Sequence, residues 1–420
     1  MNKKKLVLIE SEMKEPKGHF LNNLIDASKF FNNKFEIYWL LNKKFNKKNT
    51  YVPKKIKKIN TIVTNNFKRN QNNLLYLFEE IYLFLENFLY TFLFFFYFAY
   101  EKKTFLYLNA LKSNYFIIPK YFKSFYFTYK SLRLEKKDHI FFPTARRKDF
   151  ALINFLSKID LQHPIFHLRI AIPPKNNFKG VIYYLKEIGF DLKNKTAFIY
   201  VWNNNIKKAV LANLKMGEGI HETNLMFSYD PYSNFIRKPK KLNHTIGYLG
   251  HARKERGFHH LPEIIKLLEK KDNNFQYLIQ FSEINKDLIN TKKELFNLSK
   301  KNKRIKIIDR YLSHQEFIQM LKKIDIMPIL HNYNEINNIT SGTAYSCIPY
   351  QIPMVFLNKT NYMKNINKFR SFEIAKSIDD LVNQIIKISK NYKYYLQNSN
   401  LNSLHLAKIV KNDSLVKNLR

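Results

Sequence analysis

The chain has 420 residues, the length of two or three domains, and 45 % of them are hydrophobic, which excludes intrinsic disorder. Lys and Arg number 72 against 33 Asp and Glu, a formal net charge of +39. Only 12 of the 72 are Arg, and the chain is rich in Asn, Ile, Phe and Tyr. This composition is typical of AT-rich codons, so the charge does not identify a nucleic-acid partner. Glycine is scarce, with 9 residues, and we expect these to lie where a Cβ is not tolerated.

The first half of the chain predicts alternating strands and helices. The apolar run near the N-terminus has only four residues, Leu6–Ile9, before Glu10. It is too short for a signal peptide and typical of a β-strand. Further strands are predicted at 35–41, 59–63, 139–142, 165–170 and 197–202, and helices at 20–31, 149–158 and 206–215. The alternation indicates a parallel sheet with helices on both faces.

An aromatic and basic helical region at about 74–137 interrupts this alternation. Its uncharged part, Asn87–Tyr100, is shorter than the roughly 20 residues that cross a bilayer, and Tyr121–Lys137 mixes aromatic residues with Lys. One interpretation is a helix buried in the first domain. Another is an interfacial helix whose rings enter a membrane surface while nearby lysines contact anionic lipid. A third is a nucleic-acid surface, with phosphates on the lysines and bases stacked on the rings.

The second half of the chain restarts the alternation after a Pro- and Lys-containing segment, which predicts a linker at 233–243 between domains 1–232 and 244–420. The pattern is helical from 378 to the end. Cys347 is the single cysteine, which excludes an internal disulfide and a cysteine zinc site and fits a reducing cytoplasm. Strands are predicted at 245–249, 275–280, 304–308, 326–330 and 353–357, and helices at 258–271, 288–300 and 313–324.

The first strand-to-helix turn of the second domain is the strongest candidate site. Gly250 ends the predicted strand and Gly257 opens the predicted helix, so the turn points a helix N-terminus at the edge where α/β sheets bind ligands. Arg253 and Arg256, in a chain with few Arg, are suited to bidentate phosphate binding. The dinucleotide fingerprint Gly-x-Gly-x-x-Gly is absent from this turn. The alternative is a surface turn with solvated charges.

A second anion-binding turn is predicted after the strand at 326–330. Ser341 or Thr340 can cap a short helix there, and Gly342 lets an anion approach free backbone N–H groups. Thr343, the next residue, belongs to the same predicted anion-binding turn. Together, the two turns predict a site for a nucleoside diphosphate.

The residues of these turns resemble group 1 (family 4-like) GT-B glycosyltransferases of the bacterial surface-polysaccharide type. Gly250–Gly257 has the length of that family's Gly-Arg-x-x-x-x-Lys-Gly loop, with Arg256 in the Lys position. Residues 341–353 resemble the family's Ser-Gly-x-x-x-Glu-Ala…Gly-x-Pro segment, with Ser346 in place of its Glu and Gln351 in place of its last Gly. At the N-terminus, Gly18 and His19 resemble the family's first loop.

The resemblance implies an α/β GT-B fold, with two Rossmann-like domains whose parallel sheets face each other across a cleft, and C-terminal helices. It implies transfer of a hexosyl-type sugar from a nucleoside-diphosphate sugar to the hydroxyl of a glycan or a lipid-linked acceptor, as in polysaccharide or lipopolysaccharide biosynthesis. A cationic clamp stabilises the leaving diphosphate, so the expected reaction needs no metal or other cofactor and retains the anomeric configuration.

Site roles follow from the same resemblance. The donor phosphates are expected on Gly250, Arg253, Arg256, Gly257, Ser341, Gly342 and Thr343. Catalytic candidates are His19 and Glu335, the carboxylate nearest to the position of Ser346, and the acceptor is expected near Gly18, Arg146, His167 and Arg169. For each His a structural role is the alternative, and Arg146 with Arg147 could form a surface charge pair.

Two other functions remain open at this stage. One is a nucleotide-sugar-binding protein without turnover, because Ser346 replaces the family's Glu. The other is a basic nucleic-acid-binding protein, although no helix-turn-helix, zinc or RNA-binding signature is visible and no specific nucleic acid is expected. The expected location is the cytoplasm, or the inner face of the cytoplasmic membrane if the region 74–137 is interfacial.

Overall fold

The computed structural model describes residues 3–10, 13, 18–42, 56–62, 85, 88–89, 91–103, 105–108, 119–160, 162–170, 195–201, 207–208, 210–211, 220–223, 235–240, 242–272, 274–331, 341–358 and 368–419. The chain divides into two compact units. The first comprises Met1–Pro16, Asn23–Thr223 and Lys417–Arg420, and the second Lys17–Asn22 and Asn224–Val416. The predicted linker at 233–243 falls within the second unit.

A seven-stranded sheet forms the centre of the first unit. All its neighbouring strands are parallel, in the order β3-β2-β1-β4-β5-β6-β7. The strands are β1 (Lys4–Glu10), β2 (Phe35–Asn42), β3 (Ile56–Ile62), β4 (His139–Phe142), β5 (Ile165–Ile170), β6 (Ala197–Val201) and β7 (Ile220–Glu222). Continuous apolar runs such as Leu6–Ile9 suit a sheet that is covered on both faces. The helices of this unit are α1 (Gly18–Phe31), α2 (Pro119–Ser131) and α3 (Arg147–Ile159), with a further helical segment at 91–100.

The aromatic region divides between core and surface. Phe94 and Phe98 are buried against Phe122 and Tyr107, in the core that also contains one face of the sheet. Most rings of α2 are buried as well, which leaves them unavailable for stacking on nucleic-acid bases. The opposite face of segment 91–100 is exposed, with Phe92, Phe96 and Tyr100 at 53 %, 55 % and 88 %. No described helix is long and apolar enough to cross a membrane.

The second unit contains two three-stranded parallel sheets, ordered β10-β9-β8 and β11-β12-β13, whose inner strands are joined by a parallel bridge between Ile246 and Ile326. The combined order, 3-2-1-4-5-6 in sequence terms, is that of a Rossmann sheet. The strands are β8 (Thr245–His251), β9 (Gln276–Ser282), β10 (Ile305–Asp309), β11 (Met327–Ile329), β12 (Met354–Leu357) and β13 (Phe372–Ala375).

The helices of this half follow the predicted alternation, and some of them begin at a capping serine. Ser313 accepts a hydrogen bond from the backbone N–H of Glu316 and so caps α6, while Ser377 caps α8 through Asp380. The helices are α4 (Leu261–Lys271), α5 (Ile289–Lys301), α6 (His314–Lys323), α7 (Gly342–Cys347), α8 (Ile378–Lys390), α9 (Tyr392–Lys411) and α10 (Ser414–Asn418). The GT-B fold class predicted from the sequence requires this double βα arrangement.

Part of the predicted linker is firmly held rather than solvated. Arg237 is buried, and its guanidinium donates to the backbone carbonyls of Leu321, Lys322 and Tyr350 and to Asp325. Burying this charge is tolerable only because Asp325 and several carbonyls surround it. The basic run at this position therefore contributes two ion pairs to the second unit, from Arg237 and Lys240 to the buried Asp325.

Candidate functional site

The turn after β8 is built around two glycines whose backbone angles other residues rarely adopt. Gly250 has φ +143° and Gly257 has φ +69°, both in the region that favours glycine. A 3₁₀ turn, Lys254–Arg256, separates them, and a second one precedes α4, which begins at Leu261. The prediction that Gly257 opens the α-helix was therefore wrong by one turn, because Gly257 is left-handed and Pro262 lies in the first turn of α4.

The turn is packed tightly against its surroundings. A Cβ on Gly257 would overlap the carbonyl group of Leu330, at the carboxyl end of β11. A Cβ on Gly250 would lie 2.9 Å from Nη1 of Arg256, so the guanidinium folds back over the start of the turn. The backbone N–H of Gly250 donates to the side-chain oxygen of Gln280 on the neighbouring β9. The turn is thereby fixed at the carboxyl edge of the sheet.

Arg256 places a partly buried cation at this edge. Its side chain is half-buried, and within the part of the chain that the structure describes it forms no hydrogen bond or ion pair. Burial, with a smaller contribution from nearby Arg253, lowers the pKa of this guanidinium from its usual value. An approaching anion stabilises a guanidinium in that position, because it compensates for the hydration that the guanidinium lost on burial.

Arg253 is placed differently from Arg256. Its guanidinium lies 3.8 Å from a carboxylate oxygen of Glu283 and 4.0 Å from one of Glu255. His251, at the end of β8, also approaches Glu283, at 3.4 Å. An anion that binds Arg253 must therefore compete with carboxylates of the protein itself.

The second predicted turn reaches the same edge of the sheet. Ser341 caps α7 by accepting a hydrogen bond from the backbone N–H of Ala344, as its sequence position predicts. Thr343 Oγ1 donates to the carbonyl oxygen of Leu249, at the end of β8. Gly342 lies between them as the first residue of α7. The two turns thus meet, although they are separated by about 90 residues of sequence.

His331, directly after Leu330, is a site residue that the sequence did not indicate. Its Nδ1 is buried and has no hydrogen-bond partner among the described residues. Burial, together with the charge of nearby Arg256, lowers the pKa of His331 to about 4, so its imidazole is neutral at physiological pH. A single His after a strand gives no pattern to recognise, and only the packing of β11 against the glycine turn reveals it.

The two departures from the family pattern have structural explanations. Ser346 is buried, and its hydroxyl donates to the carbonyl of Gly342, so it stabilises α7 from within. Gln351 has φ +54°, the left-handed region that glycine adopts easily. Its side-chain amide donates to the carbonyl of Phe235 and accepts from the N–H of Arg237. These hydrogen bonds offset the cost of a non-glycine residue there.

The acceptor-side candidates divide into one exposed residue and two buried ones. Arg146 is exposed immediately before α3. His167 is buried in β5, where its ring nitrogens face His139 Nδ1 at 2.9 Å and the Tyr200 hydroxyl at 3.0 Å, and burial lowers its pKa well below the usual value. Arg169 is also buried, and its Nε donates to the carbonyl of Pro143.

The remaining candidates fall at or beyond the limits of the described structure. Gly18 and His19 are the first two residues of α1, but the side chain of His19 lies outside the described residues, as does Glu335. Among the His, Cys, Asp and Glu residues that the structure describes, no cluster has the arrangement of a metal site. Of the candidates for donor binding and catalysis, the structure therefore describes the side chains of the donor-phosphate group in the second unit.

Comparison with known proteins identifies the fold. No family model and no curated protein sequence matches the chain. Three solved structures are similar over nearly their whole length. They are sucrose-phosphate synthase from Thermosynechococcus elongatus (TM-score 0.60, 10 % identity, 98 % of this chain and 97 % of that one), a UDP-N-acetylglucosamine 2-epimerase, described as putative, from Listeria monocytogenes (0.54, 11 %, 98 % and 96 %), and Anabaena Alr3699/HepE in complex with UDP-glucose (0.55, 11 %, 97 % and 97 %). The chain has the GT-B fold, as its sequence predicts.

Proposed function

We propose that the protein is a glycosyltransferase that moves a hexosyl-type sugar from a nucleoside-diphosphate sugar to an acceptor hydroxyl. The observation that carries this proposal is the half-buried guanidinium of Arg256, which has no ion pair among the described residues, beside two positive-φ glycines at the carboxyl edge of a Rossmann sheet. This edge is where α/β sheets bind phosphates, and the two glycines let the turn pack there against Leu330 and Arg256. HepE, which shares the fold, is crystallised with UDP-glucose, which supports a nucleotide sugar as the ligand.

The same residues supply the chemistry of the proposed reaction. When the bond between the anomeric carbon and the phosphate oxygen breaks, negative charge develops on the nucleoside diphosphate. Arg256, Arg253 and the N–H groups around Gly342 stabilise that charge, so the proposed reaction needs no metal ion. We further propose that it retains the anomeric configuration, as the resemblance implies.

The exposed aromatic side chains of the first unit support a location at a membrane surface. Phe92, Phe96 and Tyr100 point away from the core, and Lys102 and Lys103 follow directly. Aromatic side chains partition to the boundary between headgroups and acyl chains, and lysines are attracted to anionic lipid. The proposed acceptor is therefore a lipid-linked or nascent surface glycan at the inner face of the cytoplasmic membrane.

A nucleotide-sugar-binding protein without turnover is the second candidate. The observation that favours it is Ser346, whose hydroxyl is used inside α7 and carries no charge for gripping a sugar hydroxyl. Calorimetry with UDP, GDP and their hexose conjugates tests both candidates, because each requires binding. Release of free sugar, or of sugar transferred to an acceptor, then separates the enzyme from the binding protein. Absence of binding to every nucleotide and conjugate would contradict both.

A further inference from the structure

A buried carboxyl group at the carboxyl edge of the seven-stranded sheet has no role in the donor site. It belongs to Glu10, the last residue of β1, which is 1 % exposed. The hydroxyl of Thr144, just after the neighbouring strand β4, donates to its Oε1 at 3.0 Å. Among the described residues, no group donates to its other oxygen, Oε2. The described residues therefore use only one of the two carboxyl oxygens.

Four charged or polar groups face Glu10 from the elements around it. Arg169 approaches from β5, with its Nε held by the Pro143 carbonyl, and Thr144 approaches from the turn after β4. Asp149, in the first turn of α3, accepts hydrogen bonds from the Tyr121 hydroxyl and from the backbone N–H of Arg146. Arg146 itself lies at the N-terminus of α3, and its side chain is exposed.

Burial raises the pKa of Glu10 to about 8, against the smaller opposing effects of Thr144 and the two arginines. The carboxyl group is therefore protonated at neutral pH. Since Oε1 already accepts from Thr144, the proton resides on Oε2, which then acts as a hydrogen-bond donor. With Glu10 neutral, the two arginines outnumber Asp149 among the described charged groups that act on it, a balance that favours an anionic ligand.

This arrangement is costly for folding, and the cost indicates a function. A buried carboxylate needs a paired cation or several hydrogen bonds to stay ionised, whereas Glu10 has no arginine within ion-pair distance among the described residues. Perturbed groups of this kind cluster at ligand sites, and the carboxyl edge of a parallel sheet is where such sites occur. The exposed Arg146, at the N-terminus of a 13-residue helix, adds a group for an anionic ligand.

We propose that Glu10, Thr144 and Arg146 form an acceptor site for a hydroxylated molecule that carries a phosphate group, with Oε2 of Glu10 hydrogen-bonded to the acceptor and Arg146 paired with its phosphate. This inference rests on the proposed function, since it names the acceptor class of that reaction. The phosphate has two sources, a soluble sugar phosphate or the diphosphate of a lipid-linked sugar, and both present the same chemistry to Arg146.

Binding measured without any donor tests the site independently of catalysis. One arm titrates glucose 6-phosphate calorimetrically, and the other measures co-sedimentation with phosphatidylcholine vesicles that contain a polyprenyl-diphosphate sugar. Arg146→Ala is expected to weaken binding at least tenfold in the arm that shows binding. The matched control, Arg147→Ala, changes the adjacent exposed arginine and is expected to stay within twofold of the natural protein.

The pH dependence of binding tests the role of Glu10 itself. Between pH 7 and pH 9 the natural protein is expected to lose affinity about tenfold, because an ionised Glu10 no longer donates and repels phosphate. Glu10→Gln keeps a neutral hydrogen-bond donor, so its affinity for the probe should equal that of the natural protein at pH 7 and stay constant up to pH 9. Glu10→Leu should bind the probe weakly at every pH.

Three results would overturn the site: no binding of either probe, equal losses in Arg146→Ala and Arg147→Ala, or the same pH-dependent loss in Glu10→Gln as in the natural protein. If the variants and the pH change affect probe binding as expected, but the protein binds no nucleotide sugar, the acceptor site is upheld and only the proposed function is refuted. Binding in the calorimetric arm identifies a soluble sugar phosphate as the acceptor, and binding in the vesicle arm identifies a lipid-linked acceptor.

Discussion

Gly257 lies so close to Leu330 that a Cβ on Gly257 would stand 3.0 Å from the carbonyl carbon of Leu330, with the carbonyl oxygen nearer still. The contact joins the glycine turn after β8 to the end of β11. It also sets the position of His331, the next residue. The left-handed φ of Gly257 and this contact together leave no room for a larger residue.

Gly257→Ala is expected to destabilise the second unit by at least about 2 kcal/mol, since it adds left-handed strain to a steric overlap. Urea unfolding followed by circular dichroism measures the change, and UDP calorimetry should show weaker binding. Lys254→Ala, in the same turn but exposed, is the control and should change neither quantity appreciably. A Gly257→Ala protein as stable as the Lys254→Ala protein would contradict the contact.

Arg256 and Arg253 are expected to contribute unequally to binding of a nucleoside diphosphate. Arg256→Ala should weaken UDP binding by about 2–3 kcal/mol, because it removes charge-assisted hydrogen bonds from a cation that has no ion pair among the described residues. Arg253→Ala should cost less, since Glu283 and Glu255 already partly neutralise that guanidinium. Calorimetry at one ionic strength measures both, with Lys254→Ala as the shared control. Equal losses, or a greater loss for Arg253→Ala, would refute this assignment.

The exposed aromatic side chains should govern association with lipid. Phe92→Ser combined with Phe96→Ser is expected to reduce co-sedimentation with anionic phosphatidylglycerol vesicles several-fold, because two rings no longer enter the interface. The control is Leu404→Ser, which changes a residue 63 % exposed on α9. Equal binding by the two variants, or no vesicle binding by the natural protein at low salt, would argue against a membrane surface at this face.

Glu10 should make the stability of the protein fall as the pH rises. Its pKa is about 8 in the folded protein and near the ordinary 4.5 in the unfolded chain. Between these values only the unfolded state ionises, so the group's stabilising effect is complete below about pH 4.5 and declines toward pH 8, by about 1.4 kcal/mol per pH unit at most.

Glu10→Gln removes this dependence, and its stability relative to the natural protein should rise between pH 5.5 and pH 7.5. Urea unfolding at the two pH values measures the difference. Thr144→Val provides a second check, because loss of its hydrogen bond to the carboxylate should raise the pKa of Glu10 further. A difference between Glu10→Gln and the natural protein that is identical at both pH values would contradict the raised pKa.

The elements that could be predicted from sequence are those whose signal is local. Leu6–Ile9 and His139–Phe142 are apolar runs of strand length, and Ser313 with Glu316 forms a capping box that marks the start of α6. The strands β7 and β13 were missed. With three and four residues, they take their conformation from pairing with neighbouring strands rather than from a pattern of their own.

The site was predictable only where rare residues marked it. Gly250, Gly257 and the two arginines were visible because glycine and arginine are scarce in this chain. Glu10 and His331 were not, because their properties depend on partners distant in sequence. Thr144 and Arg169 surround Glu10, and Arg256 lies near His331. A titratable residue at the end of an apolar strand has no sequence mark that separates a buried group from a solvated one.

The pairing of β1 with β4 determines when the first sheet can form during synthesis of the chain. Leu6 lies beside His139, so the central strand of the first sheet lacks one neighbour until more than 130 residues have left the ribosome. During that interval the apolar run of β1 and the rings of 91–108 are both in the nascent chain without their final partners. Long-range parallel pairing is slow, and unpaired strands are prone to aggregate. Slowed translation or added chaperone during overexpression should therefore raise the soluble yield of this protein more than lower temperature after synthesis.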